Sequence, residues 1–368
     1  MSREFIRPDV SYAILGAQGE VDASIQIRLY WNFGRRAATL LVDKAVSSFL
    51  QRYVGGTEPI RWESWNGHES VITLKDFLDR RQLLVDWQAP RFGRWSRQLP
   101  VWMGMQPKTS PEATQARLAN SRVAVLGLGG IGSNVALQLA YAGVRNFTLL
   151  DPDKVEDSNL NRQLSYEPSD IGRLKTEALN DRLSRIGGRN NNQLFVESIT
   201  DSSLRSVGET NPDIIVLAAD EPSLYENLMA TVAVLPGSVV LIGGGYFGLN
   251  CFAGPLLTPL RRPCDRCLNI FFSPAGIGAR HKNVGGSVVS IAMMAASIST
   301  TSCILHLTRL ADAENPLDNT VAEVTTTSPN TTYSSIPRGA CCTSDERGAG
   351  HHLGQEVRGS SVPLGLKM

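Results

Sequence analysis

Val123-Ala-Val-Leu-Gly127-Leu-Gly129-Gly130-Ile-Gly132 reads as a buried strand, a Gly-rich turn and the first residue of a helix, and Asp151 closes the next strand nineteen positions after Gly132. Glycines at 127, 129, 130 and 132 let the backbone approach a phosphate, the helix N-terminus offers oriented N–H groups, and the acid can accept hydrogen bonds from ribose hydroxyls. Taken alone, this is the fingerprint of a mononucleotide or dinucleotide fold, whose commonest occupant is a nicotinamide or flavin cofactor. Outward from it, short apolar runs at 123–126, 147–150, 194–196, 214–218 and 239–242 alternate with helix-patterned stretches. That alternation predicts an α/β domain with a mostly parallel sheet covered on both faces.

The chain has 368 residues, 42% hydrophobic and 19% charged, enough to bury a core in each of two domains. A formal charge of +1 gives no electrostatic reason to expect nucleic acid or an anionic membrane as partner. The opening MSREFIRPDV lacks the apolar core of a signal peptide, and no uninterrupted apolar run is long enough to span a bilayer, so a cytoplasmic location is expected. Six cysteines are too sparse for a disulfide scaffold, and Cys264-Asp-Arg-Cys267 has a spacing suited to metal or redox chemistry.

The first ninety residues hold most of the tryptophans and no nucleotide signature. An apolar run at 24–29, a helix-like stretch at 37–53 and a second at 74–84 suggest a small mixed α/β or winged-helix module. Pro100 to Pro111 reads as a connection. The small-residue stretch 287–310 predicts a buried packing helix, with Cys303 as a core thiol. Beyond Thr343 little apolar content remains, and a mobile tail is expected.

Asn159-Leu-Asn161-Arg162-Gln163 follows the ribose acid, where a hydride-transferring enzyme needs no such cluster. Amides and a guanidinium there suit a triphosphate, whose charge must be neutralised and held in line. Lys175 begins the next helix after a turn at Gly172 and can reach a phosphate oxygen. Asp220 follows an apolar strand, at the carboxyl edge of the sheet where a carboxylate can hold magnesium.

In that order, the Gly127 to Gly132 loop, Asp151, the Asn159 to Gln163 run, Lys175, Asp220 and Pro263-Cys264-Asp-Arg-Cys267-Leu268 resemble the ThiF, MoeB and MccB family of adenylating enzymes, relatives of the ubiquitin-activating enzymes. Upstream, Arg94-Trp-Ser-Arg97-Gln98-Leu99 is similar to the family's Arg-aromatic-x-Arg-Gln element, whose second Arg reaches into the partner subunit's active site. The resemblance implies a homodimer with Arg97 acting in trans. It implies that Asp151 holds the ribose, that Asn159, Asn161, Arg162 and Gln163 with Lys175 frame the phosphates of ATP, and that Asp220 positions Mg²⁺. The chemistry implied is attack of a carboxylate on the α-phosphate of ATP, giving an acyl-adenylate and pyrophosphate, with no thioester stage.

The implied organisation is a winged-helix-like peptide-recognition domain at 1–90, a linker with the arginine element at 91–120, a Rossmann-like adenylation domain at 121–310 and a C-terminal segment at 311–368. A separate N-terminal module is a feature of peptide-modifying members such as MccB of microcin and PaaA of pantocin biosynthesis, so the substrate expected is a ribosomally made precursor peptide. A ubiquitin-like sulfur carrier is the alternative, and a nicotinamide-dependent oxidoreductase the other. Two departures from the family pattern stand out. The family's second zinc-binding Cys pair is here Cys341-Cys342, adjacent rather than spaced, so a site built on Cys264 and Cys267 needs one of them and another ligand such as His351 or His352. After Asp220 the chain has Glu221 and Tyr225 where many members have Asn and Arg.

Overall fold

A computed structural model describes residues 4–7, 10–18, 24–31, 36–55, 58–86, 93–106, 109–187, 191–219, 224–272, 286, 288–308, 315–326 and 331–337. The chain forms two compact units, one of residues 1–116 with 310–313 and the other of residues 117–309 with 314–368.

In the first unit, β1 (Glu4–Ile6) is followed by β2 (Ser11–Gln18), β3 (Ser24–Trp31) and β4 (Arg36–Val42), then α1 (Lys44–Tyr53), α2 (Glu69–Arg80) and β5 (Leu84–Asp86). β2, β3 and β4 make an antiparallel sheet, and β1 pairs with β5. In β3, buried Ile27, Leu29 and Trp31 alternate with exposed Gln26 and Arg28, the period of a strand with one face on a core. The helix-like stretch expected at 37–53 is a strand followed by a helix. Residues 36–42 pair with β3 throughout, and Asp43 starts the helix by accepting from Val46 N at 2.9 Å. Val46, Phe49, Leu50 and Tyr53 then form the buried stripe of α1, joined in one core by Leu74 and Leu78 of α2. The expected connection at 100–111 holds helical turns instead: α3 (Leu99–Met105) begins with a proline in its first turn, and α4 (Pro111–Asn120) follows. Trp102 Nε1 donates to Gln115 Oε1 at 2.8 Å between them.

The second unit runs β6 (Arg122–Leu126), α5 (Gly132–Ala142), β7 (Asn146–Leu150), α6 (Lys175–Gly187), β8 (Gln193–Phe195), α7 (Asp201–Glu209), β9 (Ile214–Leu217), α8 (Leu224–Val234), β10 (Val240–Ile242), β11 (Gly245–Phe247), β12 (Asn250–Ala253), β13 (Leu256–Leu257), α9 (Asp265–Phe272), α10 (Val289–Thr308), β14 (Thr320–Thr325) and β15 (Thr331–Ser335). Five parallel strands lie in the order β10-β9-β6-β7-β8, and β13 joins antiparallel beside β10. Each expected apolar run is one of these strands. All four residues of β9 are buried, as a parallel strand covered on both faces requires. The chain reverses its direction of strand addition between β6 and β9, and open α/β sheets bind ligands at that crevice, outside the carboxyl ends of the strands.

The sequence had not announced a second sheet, β11-β12-β14-β15. It follows β10 directly, because Gly244 has φ +110° and a side chain there would lie 2.1 Å from Phe252 O. α10 packs on α5 and on β11 and β12. By length and composition it can cross a membrane, yet Ile291, Ala292, Ala295, Ala296 and Cys303 are buried within the unit, and Ser299 Oγ donates to Gly243 O at 2.7 Å. It is the packing helix that its small residues suggested. The tail expected after Thr343 lies outside the described residues.

Candidate functional site

The loops that leave β6 and β9 touch at the reversal point, and glycine is what lets them. Gly127 has φ +89°, and a Cβ on it would lie 2.7 Å from the Ala219 backbone; one on Gly132 would lie 1.9 Å from Gly127 O. Gly129 differs, since a Cβ there would meet nothing within 4 Å among the described residues. Among the described residues no side chain caps α5 at its N-terminus, and although Ser133 N is bonded to Gly129 O at 3.2 Å, the positive end of the helix dipole faces that space. The loop is tied from the helix side: Ser133 Oγ donates to Gly129 O at 2.7 Å, and Asn134 Nδ2 donates to Gly130 O at 2.6 Å and to Arg162 O at 3.0 Å.

Asp151, at the end of β7, is buried beside this loop. One carboxylate oxygen accepts from Leu128 N at 2.6 Å, the other from Asp153 N at 2.8 Å. Burial raises its carboxyl above the ordinary aspartate value, and the neighbouring Lys175 and the two backbone bonds oppose that rise. Lys175 opens α6 and is itself buried, its Nζ 2.8 Å from Asp153 Oδ2 and 3.8 Å from Asp151 Oδ1. The lysine thus lies between two carboxylates in the site, and Asp153 is a partner that sequence reasoning passed over. Tyr166, also missed, donates its hydroxyl to Leu128 O at 2.9 Å. Burial, with Asp151, Asp170 and Asp153 nearby, holds its pKa well above the usual tyrosine value, so it remains a donor.

The Asn159 to Gln163 run folds into a short turn under the loop. Asn159 turns inward, its Oδ1 accepting from Glu156 N at 3.1 Å, so it shapes the turn. Arg162 Nη1 donates to Ser158 O at 2.8 Å and to Asn161 Oδ1 at 2.9 Å, and its Nε donates to Tyr246 Oη at 3.1 Å. Gln163 is buried, with Oε1 lacking a hydrogen-bond partner among the described residues. The structure therefore brings together Gly127 to Gly132, Asp151, Asn159, Asn161, Arg162, Gln163 and Lys175. Arg97 lies exposed in the first unit. Asp220, Glu221, Cys341, Cys342, His351 and His352 lie outside the described residues.

Cys264 and Cys267 face each other at the start of α9, Sγ to Sγ 3.7 Å. Two thiolates on one tetrahedral zinc, with Zn–S near 2.3 Å, stand about 3.8 Å apart, so the pair fits two corners of such a site. Among the described residues no group of three or more His, Cys, Asp or Glu completes it. Cys303 is fully buried, and burial pushes its thiol pKa far up, against any nucleophilic role. Tyr225 bonds through its hydroxyl to Asn269 and stacks on Phe272 at 5.7 Å between ring centroids.

Residues 103–342 match the ThiF family profile. The adenylyltransferase and sulfurtransferase UBA4 of Vanderwaltozyma polyspora is 32% identical over 176 residues, 48% of this chain and 38% of that protein. The sulfur carrier protein ThiS adenylyltransferase of Escherichia coli K12 is 29% identical over 154 residues, 42% of this chain and 60% of that one. The match therefore spans less than two thirds of these relatives. In fold, the chain is similar to Escherichia coli MccB in its structure with MccA-N7isoASN, with a TM-score of 0.72 at 19% identity over 93% of this chain and 99% of MccB. A parallel sheet reversing at a Gly-rich loop, with a buried acid, an Arg-bearing turn and a buried lysine gathered beside it, is the setting that this family match covers, and the chain belongs to the ThiF family.

Proposed function

We propose that this chain uses ATP to adenylate a carboxylate, C-terminal or on an Asp or Glu side chain, of a ribosomally made precursor peptide in natural-product biosynthesis. The observation that carries the adenylation is the space at Gly129, where a Cβ would meet nothing among the described residues, at the N-terminus of α5 and with Arg162 against the neighbouring Gly130. Phosphate charge is met there by the helix dipole, the guanidinium and, beside Asp151, Lys175. A carboxylate oxygen attacking the α-phosphate displaces pyrophosphate and becomes part of a mixed anhydride, whose AMP is a good leaving group. In-line placement and neutralised phosphate charge supply most of the rate, and the protein needs no nucleophile of its own. Asp151 would take the ribose hydroxyls and Asp220 would hold the magnesium that screens the phosphates. Arg97 would enter the site from the second copy in a homodimer. A structural zinc on Cys264 and Cys267, completed by Cys341 or Cys342 and a further ligand such as His351 or His352, would tie the start of α9 to the C-terminal segment.

The peptide is supported by the first unit, which a sulfur-carrier activator does not need. Among the described residues its three-stranded sheet has β2 and β4 as edges, to which a strand of peptide could add, and Ile14, Leu15 and Leu41 on those strands are exposed. Solved structures similar over most of the chain include MccB with a form of MccA. A sulfur carrier is the second reading, favoured by the names of the sequence relatives.

The test incubates the enzyme with MgATP and a synthetic peptide encoded beside its gene, followed by mass spectrometry. Loss of water or gain of a nucleotide supports the proposal. An unchanged peptide, with adenylation of a ubiquitin-like carrier instead, selects the second reading. Asp220→Ala is expected to abolish ATP consumption while leaving peptide binding intact.

A further inference from the structure

Arg162 is held at both ends. Its carbonyl accepts from Asn134, which also holds Gly130 O, and its guanidinium is fixed by Ser158 O, Asn161 Oδ1 and Tyr246 Oη. A guanidinium has five N–H donors, and the bonds made by Nε and Nη1 leave those of Nη2 with no partner among the described residues. Tyr246 is the contact that arrives from another sheet. It follows Gly243-Gly244-Gly245, where the chain turns out of β10 into β11, and the turn brings the phenol back over the Gly-rich loop. A Cβ on Gly130 would lie 3.0 Å from Tyr246 Oη and 3.4 Å from Arg162 Cγ. The missing side chain at position 130 is therefore explained by the phenol and the arginine that lie on it, whereas one at Gly129 would meet nothing within 4 Å among the described residues.

We infer that Tyr246 is a positioning residue for nucleotide activation: its hydroxyl accepts from Arg162 Nε and aligns the guanidinium above the loop with Nη2 free for a phosphate oxygen. The inference rests on the adenylation reading. Without the phenol oxygen, Nε loses an acceptor and the long side chain regains rotamers that point away from the loop.

The test is calorimetric titration of the full chain with magnesium and α,β-methylene-ATP, for wild type, Tyr246→Phe, Arg162→Ala and the double variant. Loss of a hydrogen bond to a charged group predicts that Tyr246→Phe weakens binding about tenfold at an unchanged Tm. In the Arg162→Ala background the same substitution is expected to change little, because the group it positions is gone. Equal affinity in Tyr246→Phe, or a full loss repeated in the Arg162→Ala background, overturns the inference while the nucleotide site stands. A wild type that binds no nucleotide overturns the adenylation reading as well. Should Tyr246→Phe lower the Tm, Gly130→Ala gives a second approach: the added methyl displaces the hydroxyl, and the loss of affinity is expected to be absent when Arg162 is already Ala.

Discussion

At the scale of single residues, the site depends on side chains that hold backbone rather than ligand. Asn134 joins Gly130 O to Arg162 O, and its removal leaves both carbonyls without that donor. Asn134→Ala is expected to cost about 1–3 kcal/mol in urea denaturation and to weaken nucleotide binding, since loop and guanidinium lose their common anchor. Asp151 makes a pH-dependent prediction. Its folded pKa is raised by burial, so the folded chain holds the proton more tightly than the unfolded one, and the stability this contributes is lost as pH rises through the carboxylate range. Asp151→Asn lacks that loss, so the variant should gain on wild type as pH rises above the free-aspartate value of about 4 in denaturation series. A trend of opposite sign would show that pairing with Lys175 outweighs burial.

Within one loop, glycines that look equivalent in the sequence have different physical reasons. Gly132 must lack a side chain because Gly127 O occupies its place, so Gly132→Ala should destabilise the fold by about 3 kcal/mol or more. Gly129 has room, and Gly129→Ala should leave stability within about 0.5 kcal/mol of wild type while reducing nucleotide affinity, because the methyl enters the space a phosphate needs. Thermal melts with and without nucleotide separate the two. A stable Gly132→Ala, or a Gly129→Ala that binds normally, would refute this division. α10 makes a similar point about elements. Its composition suits a membrane, yet its Ser299 hydroxyl is paired inside the unit.

For the whole molecule, the prediction concerns copies. If Arg97 works in the site of its partner, a mixture of Arg97→Ala and Arg162→Ala chains contains hybrid dimers with one intact site. Random pairing of equal amounts makes half the dimers hybrid, so about a quarter of wild-type adenylation should return from two inactive parents. No recovery after subunit exchange, checked by sedimentation to show that hybrids formed, would place Arg97 outside the shared site.

The sequence by itself determined the parallel sheet, because fully buried strands read as continuous apolar runs, and it determined the nucleotide loop, because close backbone approach demands glycine at fixed spacing. It also showed Asp151, the Asn159 to Gln163 run and Lys175 as a local cluster, since all follow the loop within the next βα units. The division of 36–53 into strand and helix was hidden, because its apolar residues satisfy both periods until pairing with β3 selects one. Asn134 left a faint trace, one helical turn after Gly130, but nothing local marks a tyrosine 84 residues beyond Arg162 as its partner. Only the tertiary structure decided that Tyr246 lies over the loop, because the turn from β10 into the second sheet, with no side chains at 243–245 to block it, carries it there.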